Sequence, residues 1–200
     1  MKVLCITNIL SSLSFSVVEG DDIFLDVFVS TRDQIKNLSY IFDFINSQIN
    51  LEDIGRVFVT NGPGYFTTLR IGCVIAQTIS FILSKELTYI DNFRACENVN
   101  RIFSDDSPTI PVIKIASKRY RFKLYQSDYE TSNLEEIIQI SKNKNYRIIS
   151  SDLDTDEIEL IKNGKVKYRD LSKIFRAGIV YLSSIDNLEF AKEYLIKIKY

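Results

Sequence analysis

The chain has 200 residues, of which 46% are hydrophobic and 26% charged, and its formal net charge is −1. These proportions are typical of a globular protein with a buried core, and the length fits one large domain or two small ones. The near-zero charge disfavours binding of nucleic acid by a general basic field, although it does not exclude a local basic patch.

The chain contains no histidine and three cysteines, Cys5, Cys73 and Cys96. Without histidine, Ser-His-Asp and Cys-His catalysis cannot be assembled within the chain, and we expect no metal site. The cysteines are far apart and set among apolar residues, which predicts reduced thiols and a cytoplasmic location. Polar residues interrupt the apolar N-terminus, which predicts strands rather than a signal peptide, and we expect no membrane contact because no apolar run looks long enough to span a bilayer.

Three consecutive strands are the first predicted elements. In the second of them Leu13, Phe15 and Val17 alternate with serines, which predicts a strand with one buried and one solvated face. Helices and strands then alternate. In chain order the predictions are strands at 1–7, 12–19 and 21–30, a helix at 31–50, a strand at 56–60, a helix at 67–83, a strand at 87–90 and a helix to about residue 103.

A polar segment with two prolines, residues 104–111, is the clearest boundary in the chain. After it we predict a hairpin of residues 110–117 and 119–130 with a tight turn at Ser117-Lys118. Weaker patterns follow, for a helix at 134–140, a strand at 146–150, a helix at 154–161 and a helix at 170–183.

This element order matches the ribonuclease-H-like half-domain, in which three antiparallel strands precede alternating helices and strands. That half-domain is the building block of the actin-like ATPase fold. We therefore predict an α/β protein of that fold with two lobes, the second reduced. The N-terminal lobe would cover residues 1–104, and a smaller, divergent C-terminal lobe residues 105–200.

A glycine-rich turn, Asn61-Gly62-Pro63-Gly64, joins a predicted strand to a long helix. It is not a Walker A loop, because no lysine lies near Gly64, and it lacks the third glycine of a dinucleotide-binding loop. Pro63 also removes one amide from any phosphate nest. Two interpretations stay open: a rigid corner with Thr67 capping the helix, or an anion site at the helix N-terminus.

The helix after this turn is apolar around nearly its whole circumference. Gly72, Ala76 and Ser80 lie four residues apart and form a groove that allows close approach of another element. The groove could serve packing within the chain or an interface with a partner, and the sequence does not choose between them.

The segment "GPGYFTTLRIG", residues 62–72, resembles the signature of the bacterial TsaB (YeaZ) family of tRNA threonylcarbamoyladenosine biosynthesis proteins. The usual form of that signature is Gly-Pro-Gly-Ser-Phe-Thr-Gly-Leu-Arg-Ile-Gly, from which this chain differs at Tyr65 and Thr68. The resemblance is strong over about residues 57–77 and loose elsewhere, and residues 134–188 align with nothing in the family.

The resemblance implies a non-catalytic subunit that binds a TsaD-like catalytic subunit and works with a TsaE-like ATPase. Together such proteins transfer a threonylcarbamoyl group to an adenosine beside the tRNA anticodon, so tRNA would be an indirect partner. Homodimers also occur in the family, and both pairings use two helices from each subunit, here about 32–48 and 67–83. No cofactor is implied, except a nucleotide at a partner interface.

The residues implied by the resemblance form two sets. The implied partner interface consists of Tyr40, Phe44, Thr68, Leu69, Gly72, Cys73, Ala76 and Ser80. The signature loop consists of Gly62, Pro63, Gly64, Phe66, Thr67 and Arg70.

Several positions depart from the family pattern. Thr7-Asn8 stands where the first strand of the family commonly ends Asp-Thr, and Lys114 and Ala116 replace an Asp and an Arg that often open the second lobe. Each change removes a group that could hold metal or phosphate, so intrinsic ATPase activity is disfavoured. The alternative function is an ATP-binding enzyme of the actin-like superfamily, a kinase or acyl-transferase, and a third is a homodimeric structural protein.

Two charged segments have competing interpretations. The acidic run at residues 152–159 lacks the glycine and spacing of a calcium loop, and a solvated helix N-terminus is favoured. Arg119, Arg121 and Lys123 alternate with aromatic residues, which suits either RNA contact or a half-buried strand, and we favour the strand.

Overall fold

The computed structural model describes residues 1–9, 12–30, 34–103 and 107–197. The first of two five-stranded sheets contains β1 (Lys2–Ile9), β2 (Ser12–Glu19), β3 (Asp22–Ser30), β4 (Ile54–Thr60) and β5 (Glu86–Ile90). Their spatial order is β3-β2-β1-β4-β5; β1, β2 and β3 pair antiparallel, and β4 and β5 continue parallel to β1. The predicted meander of three strands is confirmed.

Helices cover both faces of this sheet. One face carries α1 (Gln34–Gln48) and α2 (Phe66–Leu83), and the other carries α3 (Asn92–Arg101), α6 (Ala177–Ser184) and α7 (Leu188–Lys197). Side chains along a strand alternate between its faces, so Leu4 and Ile6 of β1 join the core under α1 and α2, while Val3 and Cys5 join the opposite core. The predicted start of the first helix, at residues 31–33, lies outside the described residues.

The second sheet contains β6 (Thr109–Ala116), β7 (Arg119–Leu124), β8 (Ser127–Thr131), β9 (Arg147–Ser150) and β10 (Tyr168–Asp170). Its order is β10-β9-β6-β7-β8, with β6, β9 and β10 parallel. Two helices, α4 (Leu134–Lys144) and α5 (Thr155–Asn163), pack on it. The predicted Ser117-Lys118 turn joins β6 to β7, and Lys118 has a φ of 52°.

Two predictions for this half were wrong. The single strand predicted over 119–130 is two strands, because the chain turns at Tyr125, which has a φ of 58° although no glycine or asparagine marks the turn. The helix predicted over 170–183 begins only at Ala177. Before it the chain turns, and the Asp170 carboxylate accepts a hydrogen bond of 2.8 Å from the Ser172 amide.

The serine face of β2 is buried, which corrects the prediction of a solvated face. Ser14 and Ser16 lie beneath the start of α6. The Ala177 amide donates to the Ser14 hydroxyl at 3.2 Å, and the Gly178 amide donates to the Ser16 hydroxyl at 2.9 Å. Because the N-cap residue of α6 makes no side-chain capping bond, these serines satisfy amides that a helix start leaves open.

The boundary predicted between residues 104 and 105 stays a prediction. Each side of it carries its own sheet. The two halves are nevertheless not separate in space, because α6, which belongs to the second half of the sequence, packs on β1, β2 and α3 of the first half. The first sheet is therefore covered on one face by a C-terminal helix.

Candidate functional site

The signature loop is a stiff corner between β4 and α2. The Asn92 amide donates to the Gly62 carbonyl at 2.5 Å, and Asn92 Nδ2 donates to the Pro63 carbonyl at 2.8 Å. Gly62 has a φ of 120°, a conformation that favours glycine. Helix α2 begins at Phe66 after the N-cap Tyr65, so the prediction that Thr67 caps the helix was wrong by two positions.

Behind this corner, Asn8 locks α2 to the sheet. Asn8 is fully buried, its amide donates to Thr60 Oγ1 at 3.2 Å, and that hydroxyl donates back to Asn8 Oδ1 at 2.8 Å. Asn8 Nδ2 donates to the Leu69 carbonyl of α2 at 3.3 Å. The position where the family has a metal- or phosphate-binding segment is therefore filled by an internal amide network.

The small-residue stripe of α2 faces this network. Gly72 and Ala76 are buried, as is Thr68, and the Cys73 thiol contacts the Thr60 carbonyl at 3.9 Å. On the half-buried margin of the stripe, the Ser80 hydroxyl donates to the Lys85 carbonyl at 2.5 Å. In the described residues the groove thus serves packing within the chain, and contact of these residues with a partner stays a prediction.

The opposite side of α2 carries large apolar side chains in solvent. Phe81 is 86% exposed and Ile82 70% exposed, and Tyr40 of α1 is 74% exposed. We call the set Tyr40, Phe44, Val74, Phe81 and Ile82 the α1–α2 apolar surface. Tyr40 and Phe44 belong to the implied interface, whereas the last three were missed because a helix that is apolar all round does not reveal its outward side.

Helix α2 is long and apolar enough to cross a membrane when judged by length and composition alone. This corrects the expectation that no apolar run reaches that length. Its inward stripe, from Thr68 to Ala76, packs on the sheet. The rest of the signature loop is more exposed, with Phe66, Thr67 and Arg70 at the surface and Gly64 half-buried.

A second polar site lies at the carboxyl ends of the parallel strands β6 and β9. The Lys114 ammonium lies 2.7 Å from Asp154 Oδ2 and 2.7 Å from Glu157 Oε1. The Tyr120 hydroxyl donates to the same Glu157 oxygen at 2.5 Å. A cavity of about 430 Å³ opens beside these residues, between the starts of α4 and α5.

Asp152 forms the buried base of this site. Its carboxylate accepts hydrogen bonds from the Lys114 amide at 3.0 Å and from the Ser150 hydroxyl at 2.8 Å. Burial raises the pKa of Asp152 to about 7, although these two hydrogen bonds act in the opposite direction. Burial lowers the pKa of Lys114, but its bonds to Asp154 and Glu157 outweigh that effect and raise it overall.

Tyr65 of the signature loop lies within the electrostatic influence of this cluster. Burial raises the pKa of Tyr65, while the charge of Lys114 lowers it and those of Asp152 and Glu157 raise it. Two positions that depart from the family pattern, Tyr65 and Lys114, are therefore neighbours in the fold. Their proximity could not be predicted from the sequence, in which they are far apart.

The acidic run at residues 152–159 is partly buried and partly exposed. Asp154 caps α5, and its box with Glu157 confirms the predicted helix N-terminus, whereas Asp152 is buried and not solvated. Across the described ranges, no group of three or more cysteines, aspartates and glutamates is placed to hold a metal ion.

The basic residues of β7 are all paired with acids. Arg119 pairs with Glu130, Arg121 with Asp128, and Lys123 lies 3.6 Å from Glu97. The alternating Tyr120 and Phe122 are buried. The half-buried strand is confirmed, and these ion pairs leave little unbalanced positive charge for RNA.

Solved structures share the fold of this chain at low sequence identity. YeaZ from Pseudomonas aeruginosa is 12% identical, with a TM-score of 0.53 over 66% of each chain. The ethanolamine utilization protein EutJ from Carboxydothermus hydrogenoformans is 9% identical, with a TM-score of 0.52 over 96% of this chain and 89% of that one. The predicted actin-like α/β fold and the resemblance to YeaZ in fold are confirmed.

Relatives by sequence are tRNA N6-adenosine threonylcarbamoyltransferases. That of Metamycoplasma arthritidis is 31% identical over 64 residues, which is 32% of this chain and 21% of the relative. In other matches to transferases of this description, including that of Staphylococcus aureus, the chain spans 37% of the relative or less. The family model for TsaD, tRNA N6-adenosine threonylcarbamoyltransferase, matches residues 30–174. With most of its length matched, the chain belongs to the TsaD family.

Proposed function

We propose that this chain is a non-catalytic partner subunit in tRNA N6-threonylcarbamoyladenosine modification, and that it binds a TsaD-like catalytic subunit through the α1–α2 apolar surface. The observation that carries the proposal is the exposure of Phe81 and Ile82, at 86% and 70%, on one side of α2. Exposed apolar patches of this kind mark interaction surfaces in soluble proteins. A TsaE-like ATPase completes the proposed cytoplasmic assembly, and tRNA is bound through the partner.

The signature loop supports this role by holding α2 in one orientation. The bonds from Asn92 to the Gly62 and Pro63 carbonyls fix the corner from which α2 starts. Arg70, exposed one turn into the helix, is placed to meet a carboxylate of the partner. Asn8 fastens the inward side of α2, so that its apolar side stays outward.

The polar site around Lys114 supports a non-catalytic role because its ammonium is already paired with two carboxylates. Lys114 is held by Asp154 and Glu157, and Thr7 stands where the first strand of the family commonly has an acid. A nucleotide phosphate needs cations or free amides, and the acids of the described residues include no group placed to hold a metal ion. In this proposal nucleotide binds only where the partner completes a site.

Co-purification with the TsaD-like subunit of the same organism tests the proposal. The wild-type chain should co-elute with that subunit at micromolar concentration, and Phe81→Glu should abolish the complex by placing a charge in the apolar contact. Leu160→Glu on α5 is the matched control, because Leu160 is also an exposed apolar helix residue, at 39%. Equal thermal midpoints of the three proteins would show that each is folded.

The proposal is wrong if Phe81→Glu binds the subunit as well as the wild type does. Sedimentation of the isolated wild type and of Phe81→Glu compares their oligomeric states. A homodimer that Phe81→Glu dissociates would show that the α1–α2 apolar surface pairs two copies of this chain. Flotation with lipid vesicles tests whether the α1–α2 apolar surface binds a membrane instead of a protein. Vesicle binding that Phe81→Glu removes, without any complex with the subunit, would replace the proposal with a membrane role.

A second candidate is an ATP-binding enzyme of the actin-like superfamily, a kinase or acyl-transferase. It is favoured by the relatives by sequence, which are transferases. This candidate requires the isolated chain to bind ATP. Calorimetry that detects no heat with ATP and Mg²⁺ at millimolar concentration would remove it.

A further inference from the structure

A groove lies on the face of the first sheet opposite to α1 and α2. It is bounded by the edge strand β5, the start of α3 and the end of α6, and its volume is about 180 Å³. Its floor is apolar, formed by Phe58 and Ile90, which are 4% and 8% exposed. Tyr181 and Ile185 form its walls, whereas the Tyr89 hydroxyl accepts a hydrogen bond from Gln77 of α2 on the opposite face of the sheet.

The rim of the groove is positively charged. Arg56 binds Glu86 at 2.7 Å through one terminal nitrogen, while its Nε is buried and has no hydrogen-bond partner in the described residues. Arg94 is exposed, and within the described ranges no carboxylate forms an ion pair with it. Glu97, one turn along α3, lies 3.6 Å from Lys123, and its carboxylate also interacts with the charge of Arg94. The rim therefore holds two guanidinium groups and one carboxylate.

A guanidinium presents a planar fork of donors that matches the two oxygens of a carboxylate. A buried Nε–H without an acceptor is a donor left for a ligand to satisfy. The volume equals that of about six water molecules, so the site suits a compact molecule. The apolar floor and the Tyr181 and Ile185 walls favour a ligand whose body is a hydrocarbon ring or chain.

We propose that this groove binds a compact carboxylate with an apolar body, the carboxylate on Arg56 and Arg94 and the body on the floor of Phe58 and Ile90 beside Tyr181. The groove lies across the sheet from the α1–α2 apolar surface, so this proposal does not rest on the proposed function. Arg94 supplies an exposed positive charge, and Arg56 supplies the unpaired Nε–H.

Titration with 3-phenylpropionate, followed by ¹⁵N NMR of the full chain, tests the proposal. The probe should shift the Arg56 and Arg94 side-chain Nε signals and the β5 amides, with a dissociation constant in the millimolar range expected for so small a ligand. The uncharged analogue 3-phenylpropanol should bind at least about tenfold more weakly, because it cannot pair with the guanidinium groups.

Two variants distinguish binding in the groove from non-specific attraction of the anion to surface arginines. Arg94→Gln should weaken binding of 3-phenylpropionate about fivefold or more. Arg101→Gln, on the same helix but paired with Asp186 at 2.6 Å and away from the groove, should leave it unchanged. Equal binding of the acid and the alcohol, or equal losses in the two variants, would overturn the proposal. Unchanged backbone spectra of both variants would establish that they are folded.

Discussion

Gly72 of α2 lies directly against Asn8 at the end of β1, so closely that a methyl group on Gly72 would come within 2.2 Å of Asn8 Nδ2. This contact explains how a helix with little capping is held: Asn8 reaches the Leu69 carbonyl only because Gly72 has no side chain. The glycine of the signature therefore serves the fit between α2 and its own sheet, and the other side of the helix, with Phe81 and Ile82, is exposed.

Gly72→Ala should destabilise the chain because the added methyl group overlaps Asn8. Overpacking of this kind typically costs about 1–3 kcal/mol. Urea unfolding followed by circular dichroism measures the loss, and Thr78→Ala, at an exposed position of the same helix, is the control. The double variant Asn8→Ala/Gly72→Ala should lose less than the sum of the single variants, since the smaller residue removes the overlap. Additive losses would contradict the contact.

Ser14→Ala should weaken the attachment of α6 to the first sheet. It leaves the Ala177 amide without its acceptor in a buried place, and loss of a capping oxygen costs about 1 kcal/mol. Hydrogen exchange should accelerate at the amides of Ala177 and its neighbours in α6 more than in β4. Ser39→Ala, whose residue is exposed on α1, is the control and should change neither. Uniform acceleration across the sheet would instead indicate general loosening.

The element order of the first half could be predicted from the sequence because strand alternation is local information, whereas β8, β10 and α7 of the second half were missed. The outward side of α2 could not, since Gly72 and Ala76 fit a partner groove and a sheet groove equally well until the position of Asn8 is known. The burial of Ser14 was equally hidden, because it depends on a helix that begins at Ala177. Sequence patterns identified the elements, and contacts between distant segments decided which faces are free.

Asp152 should make stability fall as pH rises from about 4 to about 7. Burial raises its pKa in the folded state to about 7, while an unfolded aspartate titrates near pH ~3.9. Between those values the folded state holds a proton that the unfolded state has released, so raising the pH favours unfolding until the window ends. Above about pH 7 the penalty is constant.

Asp152→Asn removes this proton uptake. The free energy of unfolding of the variant, minus that of the wild type, should rise from about pH 4 to about pH 7 and then level off. Urea midpoints across that range measure it. Asp156→Asn, at an exposed position in the first turn of α5, should show no such rise. Parallel pH curves for Asp152→Asn and the wild type would mean that Asp152 is ionised in the folded state throughout.

Lys114→Met tests whether the ion pairs of Lys114 with Asp154 and Glu157 stabilise the fold through their charges. The variant leaves the nearly buried Glu157, 11% exposed, without its ammonium partner, whereas the more exposed Asp154 is screened by water. Breaking a buried pair on one side costs about 3–5 kcal/mol, and partial exposure reduces the expected loss to about 2–3 kcal/mol. Arg119→Met, which breaks the exposed pair with Glu130, should cost about 1 kcal/mol or less. The double variant Lys114→Met/Glu157→Gln should recover part of the lost stability, because the unpaired charge is gone.

Equal losses of stability for Lys114→Met and Arg119→Met would show that water reaches the acidic side chains around Lys114, and that Lys114 contributes no more than a surface cation.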